Sequence, residues 1–289
     1  MAILNYHNGR SSANTQRDDA HFYRTNRNDE VVETNPANLG TILTYGFENE
    51  TDGYPSYSDA EIASNYVDAS HGRYCHCEHD GSLHRGFEIV SQPMTLAAHR
   101  AAKWNELFDK LVSDYDADSL DSCGLHVHVG RAGLGNDDDA RYKCIAKILE
   151  LVERFQSELS CFARRRIATC DWCRPTGYGH STSDSARAML RKARYLQDRQ
   201  GISTHDGRRY RAVNLQNRNT IEFRIFKGSL NGLTFYATLA LVDGLVRWCK
   251  QHTSTETHTV TWDGLLAWIN DADVNTYWGA RRGYLSRYC

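Results

Sequence analysis

Apolar and polar residues alternate along several short stretches of this 289-residue chain. The alternation predicts strands, because successive side chains of a strand point to opposite faces. TILTYGFENE (41–50) is the first such stretch, and YCHCEHDGSLHRGFEIVS (74–91) reads as two strands joined through the turn dipeptide Asp80-Gly81. CGLHVHVG (123–130) is a further strand, and RYRAVNLQ and TIEFRIFKG read as two more around Asn217-Arg218-Asn219. Helical spacing of Leu96, Trp104, Leu107, Phe108 and Leu111 predicts a helix near 94–114. The clearest helix is 136–162, with Asn136 as candidate N-cap and acidic residues in its first turn. Its apolar stripe is Ile145, Ile148, Leu149, Val152, Phe155, Leu159 and Phe162. Helices are also expected near 184–198, from a Ser-Asp start signal, and near 232–250. Residues 51–72 read as turn-rich and polar, and 163–206 as basic and irregular. Strands and helices are mixed and the strands are joined by hairpins. This order favours an α+β fold around a mainly antiparallel sheet.

Residues 1–38 are polar and aperiodic, which predicts a loose N-terminal arm with short ordered pieces. Residues 39–289 are then expected to form one domain, and no internal repeat is visible. Hydrophobic residues make up 40% of the chain and charged residues 24%, an ordinary globular composition. The formal net charge of -2 leaves no electrostatic footprint for nucleic acid. No stretch approaches the roughly 20 apolar residues that cross a bilayer, and the start has no signal-peptide pattern. Nine cysteines without an export signal suit a reduced, cytoplasmic setting, and the compact layout suits a bacterium or its virus. The oligomeric state is not legible from the sequence.

Four polar patterns could carry chemistry. Glu48-x-Glu50 places two carboxylates on one strand face, where they repel unless cations lie near. Glu88 lies between Phe87 and Ile89, on the polar face of its strand. His126-x-His128 places two imidazoles on one face, between Gly124 and Gly130, which permit close approach of backbone or ligand. Glu222-x-Arg224 share a face opposite Ile221, Phe223 and Ile225. Each alone also fits a blander reading: a solvated strand face, a pair of core histidines or a surface ion pair. Together they follow one rule, polar groups on one face and apolar on the other, so a single sheet could gather them. An oxygen-rich set with few imidazoles suits Mg2+ or Mn2+ better than zinc.

TYGFENE, DGSLHRGFEIVSQP, CGLHVHVG and YRAVNLQNRNTIEFRIFKGSL, in that order over about 41–250, resemble the amidoligase family. These are carboxylate–amine ligases related in fold to glutamine synthetase and glutamate–cysteine ligase. The resemblance implies a curved catalytic sheet that binds ATP with two or three Mg2+ ions and forms an amide or isopeptide bond through an acyl phosphate. It implies Glu48, His126 and Glu222 as ligands of the metal nearest the phosphates, and Glu50 and Glu88 as ligands at the acyl site. His128 resembles a phosphate contact, and Arg224 the arginine that stabilises the transferring phosphoryl group. Arg164, Arg165 or Arg166 resembles a substrate-carboxylate arginine, with Asn214 a further candidate substrate contact. Two departures stand out. Glu78 and Asp80 are the nearest candidates for a further acidic ligand, at unfamiliar spacings. Thr220 stands where glutamine synthetase has an ATP-contacting arginine, which Arg218 would replace. Substrates are then small-molecule or peptide carboxylates and amines. The competing readings are a metal-dependent hydrolase on the same Glu/His face and a non-catalytic ligase-derived binding protein.

Cys75, Cys77, Cys170 and Cys173 could together make a structural Zn2+ site, against scattered reduced thiols. GRAGLGN (130–136) lacks the Lys-Ser/Thr of a P-loop and reads as a turn into the following helix. Cys123 has no evident oriented base and is a weak candidate nucleophile. The arginines from Arg164 to Arg199 form either a solvated face or a lid for an anionic substrate.

Overall fold

The computed structural model describes residues 21–173 and 210–288. Its centre is a six-stranded, fully antiparallel sheet. The strands are β3 (Tyr45–Thr51), β4 (Cys75–Glu78), β5 (Phe87–Ser91), β6 (Gly124–Gly130), β7 (Val213–Asn214) and β8 (Thr220–Lys227). They lie in the order β4-β5-β3-β6-β8-β7. The protein is therefore α+β, as the strand and helix patterns predict. On β3 the odd positions turn to the helices: Phe47 packs edge-on against Trp104 and Phe235, each at 4.9 Å between ring centroids. The even positions Glu48 and Glu50 are thereby directed to the other face. Asn49, on the helix side, trades hydrogen bonds with the Ser229 backbone and fixes the turn after β8.

Helices cover the apolar face. α1 is Tyr57–His71, α2 Leu96–Ala101, α3 Trp104–Tyr115, α4 Asp138–Arg154, α5 Gln156–Ala163 and α6 Gly232–Gln251. Four short helices follow: Ser254–Thr259, Trp262–Ile269, Ala272–Arg281 and Leu285–Tyr288. Several of these differ from the sequence expectation. Residues 51–72 hold α1, whose buried stripe of Ala60, Ala63, Ser64 and Val67 is too small and polar to stand out in the pattern. The helix expected over 94–114 breaks at Lys103, which is left-handed at φ 57°. That over 136–162 breaks at Phe155, and its N-cap is Asp137, whose side chain accepts from the Ala140 N–H, not Asn136. The helix expected at 184–198 lies outside the described residues.

Within the stretch expected to be a loose arm, β1 (Phe22–Thr25) and β2 (Val31–Thr34) form an antiparallel hairpin. Tyr23 anchors it: its backbone bonds to Pro93 and Thr95, and its ring is buried beneath Arg73 and against Tyr74. One buried aromatic in a polar stretch gives no periodicity to read.

Candidate metal and ligase site

The register of the sheet assembles the site. Across β3 and β6, Glu48 stands opposite His126 and Gly46 opposite His128; across β3 and β5, Glu50 stands opposite Glu88. His128 stands opposite Glu222 on β8. Between Leu125 and Val127 the β6–β8 register slips, so that Leu125 pairs with Phe226 but Val127 with Phe223. One residue, His126, therefore faces two, Arg224 and Ile225. Such a bulge bends and twists the strand, and it sits where Arg224 leaves the sheet for the cleft.

The contacts are dense. His126 Nδ1 lies 3.1 Å from Glu48 Oε2 and 3.6 Å from Glu222 Oε1. His128 Nε2 lies 3.1 Å from Glu48 Oε1, and its Nδ1 lies 3.2 Å from Thr220 Oγ1. Arg224 donates to Glu222 Oε1, while Asn214 and Asn217 donate to Glu222 Oε2 at 2.8 and 3.1 Å. The Gly124 N–H donates to Glu50 Oε2 at 2.6 Å. All of the ionisable groups are buried: Glu48 is 7% exposed, Glu50 6%, Glu88 3% and Glu222 2%.

Three triads bring ligand atoms within 4.8 Å of one another: Glu48–His128–Glu222, Glu48–Glu88–His126 and Glu50–Asp80–Glu88. A family model described as "Putative amidoligase enzyme" matches residues 58–246, well over half of the chain. The chain belongs to this amidoligase family. The matched span carries Glu88, His126, His128, Glu222 and Arg224; Glu48 and Glu50 precede it and join through strand pairing. No curated protein matches this chain. A solved structure of a bifunctional glutathione synthetase from Pasteurella multocida is similar at 11% identity and a TM-score of 0.48. The similarity covers 86% of this amidoligase chain and 47% of that one, so this chain spans about half of that protein's length.

Electrostatics divide the amidoligase site in two. Burial alone would raise Glu48, but the imidazoles of His128 and His126 overcome it and hold Glu48 well below the ordinary carboxylate range. Glu222 falls to about 2, because Arg224 and then His128 outweigh its burial. His128 is raised despite burial by Glu48 and Glu222, whereas burial and Arg224 lower His126. On the other side, burial pushes Glu50 up to about 7, Asp80 adding to it against the Gly124 N–H and two arginines. Burial and the neighbouring Glu48, Glu50, Asp80 and Glu78 raise Glu88 well above its ordinary value.

A cleft of roughly 1030 Å³ opens onto Glu48, Glu50, Asp80, Glu88, His126 and Arg224. Arg165 and Arg166 line it too, and Arg165 donates to the Cys123 carbonyl at 2.7 Å. Arg164 does not line it; left-handed at φ 57°, it caps α5 and donates to the Gly228 carbonyl. Arg218 lines a second cavity of roughly 380 Å³ with Thr44, Gly130, Arg141 and Tyr142, at the opposite ends of β3, β6 and β8. Asn214, a candidate substrate contact, instead holds the Glu222 carboxylate. Asp80, on the turn after β4, completes the triad with Glu50 and Glu88. Of the two candidates for a further acidic ligand, Asp80 and not Glu78 is the one in this triad, from a turn position outside the strand alternation.

The cysteines do not converge. Among the described residues no triad of ligand atoms includes a cysteine. Cys75 and Cys77 turn to the α1 side of β4, with Sγ atoms donating to the His71 and Ser64 carbonyls, and burial raises both thiols. Cys170 lies on the cleft wall instead. A four-cysteine Zn2+ site is thus not formed. Cys123 is buried, and burial raises its thiol to about 12, which removes it as a nucleophile. GRAGLGN forms a turn of 3-10 helix, Arg131–Leu134, leading into α4. No helix among the described residues is long and apolar enough to cross a membrane.

Proposed function

We propose that the protein is an ATP- and Mg2+-dependent carboxylate–amine ligase, Mn2+ serving in place of Mg2+. Its product is an amide or isopeptide bond made through an acyl phosphate, on a sheet of the glutamine synthetase-like type within one catalytic domain over 39–289. The observation that carries this reading is the convergence of Glu48, Glu50, Glu88, Glu222, His126, His128 and Arg224 on the face of the sheet away from the helices.

The donor set fits a hard divalent ion: oxygens dominate, and two imidazoles supplement them. His128 Nε2 is buried and pairs with Glu48 Oε1 at 3.1 Å. Glu48, His126 and Glu222 would hold one ion and Glu50, Asp80 and Glu88 another, which leaves His128 to the phosphates. Mg2+ bound there supplies positive charge to the phosphoryl oxygens.

The remaining steps fall to the chain's own groups. A carboxylate is a poor acyl donor because its leaving group is oxide, and phosphorylation replaces that with phosphate. Arg224, buried and permanently charged, offsets negative charge on the transferring phosphoryl group. His128, raised by Glu48, and Arg218, at the second cavity, are the proposed nucleotide contacts. Arg165 and Arg166 would bind the substrate carboxylate at the cleft wall. Trp172 and Tyr210 line the cleft beside Arg224, where a bound substrate packed against them would limit the access of water to the acyl phosphate. The attacking amine must be neutral, and a carboxylate lining the cleft takes its proton.

The test is an ADP-release screen against pools of carboxylates and amines, with mass spectrometry of the product. An amine-dependent signal that Glu222→Ala abolishes in a folded protein is expected. Full activity in Glu222→Ala, or ADP release with no new C–N bond, would overturn the reading.

A further inference from the structure

Cys170 and Cys173 are left over from the ligase reading, and their placement is unusual for this chain. Cys75, Cys77, Cys144 and Cys249 are buried in the core, with thiols raised by burial. Cys170 alone among the described cysteines is part-exposed, and it lines the main cleft. Cys173 lies behind it, fully buried. The hydrogen bond between the two thiols is the largest influence on Cys170, and the backbone N–H groups of Trp172 and Cys173, with the charge of Arg165, act in the same direction. Together they outweigh burial and bring the Cys170 thiol down to about 6, while Cys173 is raised by the same bond. An accessible thiolate beside a buried partner thiol is the arrangement of an attacking and a resolving cysteine.

The pair also touches the working groups. Between the cysteines, the Trp172 carbonyl accepts from Arg224 Nε at 3.4 Å, and the Trp172 ring packs edge-on to Tyr210 at 4.9 Å. Arg165 interacts with both sulfurs. A change in the Cys170–Cys173 loop therefore reaches two arginines of the cleft.

We propose that Cys170 and Cys173 are a redox-active dithiol in the cleft wall, closed by a low-molecular-weight disulfide such as oxidised glutathione, and that closure lowers turnover through Arg165 and Arg224. The Cys170 thiolate attacks one sulfur of the small disulfide, forming a mixed disulfide and expelling one thiolate. Cys173 then attacks Cys170 Sγ, expelling the second thiolate, which takes up the Cys173 proton. Two protein thiols lose two electrons, and the small disulfide is reduced to two thiols. The effect on turnover rests on the ligase reading; the thiol chemistry does not.

The full chain is equilibrated in glutathione buffers of rising oxidised fraction, blocked with iodoacetamide and mapped by peptide mass spectrometry. The expected result is loss of two hydrogens across Cys170–Cys173 before any other cysteine is modified, and a glutathione adduct on Cys170 in Cys173→Ser. The alkylation rate of Cys170 should have its midpoint near pH 6. Two free thiols at the fully oxidised end, or prior oxidation of a core cysteine, overturn the pair. Amine-dependent ADP release should fall at least severalfold on oxidation of the wild type and stay constant in the Cys170→Ser/Cys173→Ser variant. Equal turnover before and after closure overturns the link to the arginines. If no ligase turnover exists at all, thiol mapping still decides the chemistry, so the two failures are told apart.

Discussion

Glu50→Gln is expected to make the ion-free protein more stable, increasingly so as pH rises from 5 to 8. Glutamine keeps an oxygen for the Gly124 N–H but cannot ionise. In the wild type, burial and Asp80 raise Glu50 from 4.5 to about 7. A raised carboxyl gives its full stability below its unfolded value and loses it as pH climbs through its folded value. The loss therefore runs from about 4.5 to about 7. At about 1.4 kcal/mol per pH unit, it reaches about 3 kcal/mol by pH 8, an upper figure because water can enter the cleft. Glu48 and Glu222 are depressed, so their contribution is full above their ordinary values and is lost only as pH falls, for Glu222 through about 2. They add no slope between pH 5 and 8. Glu88, His126 and His128 also titrate abnormally and remain in the variant, and because Glu50 helps to raise Glu88, the difference between the two proteins reports Glu50 together with its coupling to Glu88.

Urea denaturation in EDTA at pH 5, 6, 7 and 8 measures that difference. The gap should be small at pH 5 and largest at pH 8. Mg2+ should then close most of it, because an ion held by Glu50, Asp80 and Glu88 compensates the wild-type carboxylate and finds fewer charges in the variant. A gap independent of pH, or a variant less stable than wild type at pH 8, would refute the argument that Glu50 is an uncompensated buried acid.

Three further outcomes follow from the same geometry. Arg224→Ala should lower the rate of ADP release about 10²- to 10³-fold, the scale for losing one oriented charge donor at a transition state, and Arg224→Lys should not restore it, since lysine lacks the planar fork; steady-state kinetics with a thermal melt for folding checks both. Gly124→Ala would put a Cβ 3.0 Å from His126 Nε2 and 3.5 Å from Glu50 Oε1, so Mg2+ affinity by calorimetry should fall about tenfold with the fold retained. Asn214→Ala removes the 2.8 Å donor to Glu222 and should cost about 1 kcal/mol of stability in denaturant melts, together with 10- to 100-fold in metal affinity.

Much of this site is visible as alternation. Glu48/Glu50, His126/His128 and Glu222/Arg224 each sit two apart, with Asn49, Val127 and Phe223 between them buried on the opposite face. A period of two is a local property, and the strands obey it. Which strand pairs with which is not local, so the pairing of Glu50 with Glu88 and of His128 with Glu222 had no signal in the spacing. The bulge at His126 was equally hidden, because one extra residue in β8 leaves the local pattern unchanged and alters only the partner count. Helix α1 was missed for another reason: its buried face is alanine and serine, which hydropathy scarcely separates from a polar loop. Lys103 and Phe155 broke two expected helices without a proline or glycine to announce the break.

The division of charge within the site suggests an order of loading. Glu48 and Glu222 are already compensated, by two imidazoles and by Arg224. A bare cation entering between them would meet Arg224 and a His128 that Glu48 has raised toward its charged form. Among the described residues Glu50, Asp80 and Glu88 have no imidazole or arginine in ion-pair contact, and burial, with the neighbouring carboxylates adding to it, raises Glu50 and Glu88. In the proposed reading an ion therefore gains most at the Glu50–Asp80–Glu88 end, where it relieves repulsion, and least at the Glu48–His126–Glu222 end, where it displaces an existing balance. The second end becomes favourable only when the ion arrives with a polyanion that engages Arg224 and frees Glu222. A nucleotide carrying its own Mg2+ satisfies that condition. In that reading Glu48, Glu222 and Arg224 stay self-paired, with the two imidazoles, until the nucleotide is present.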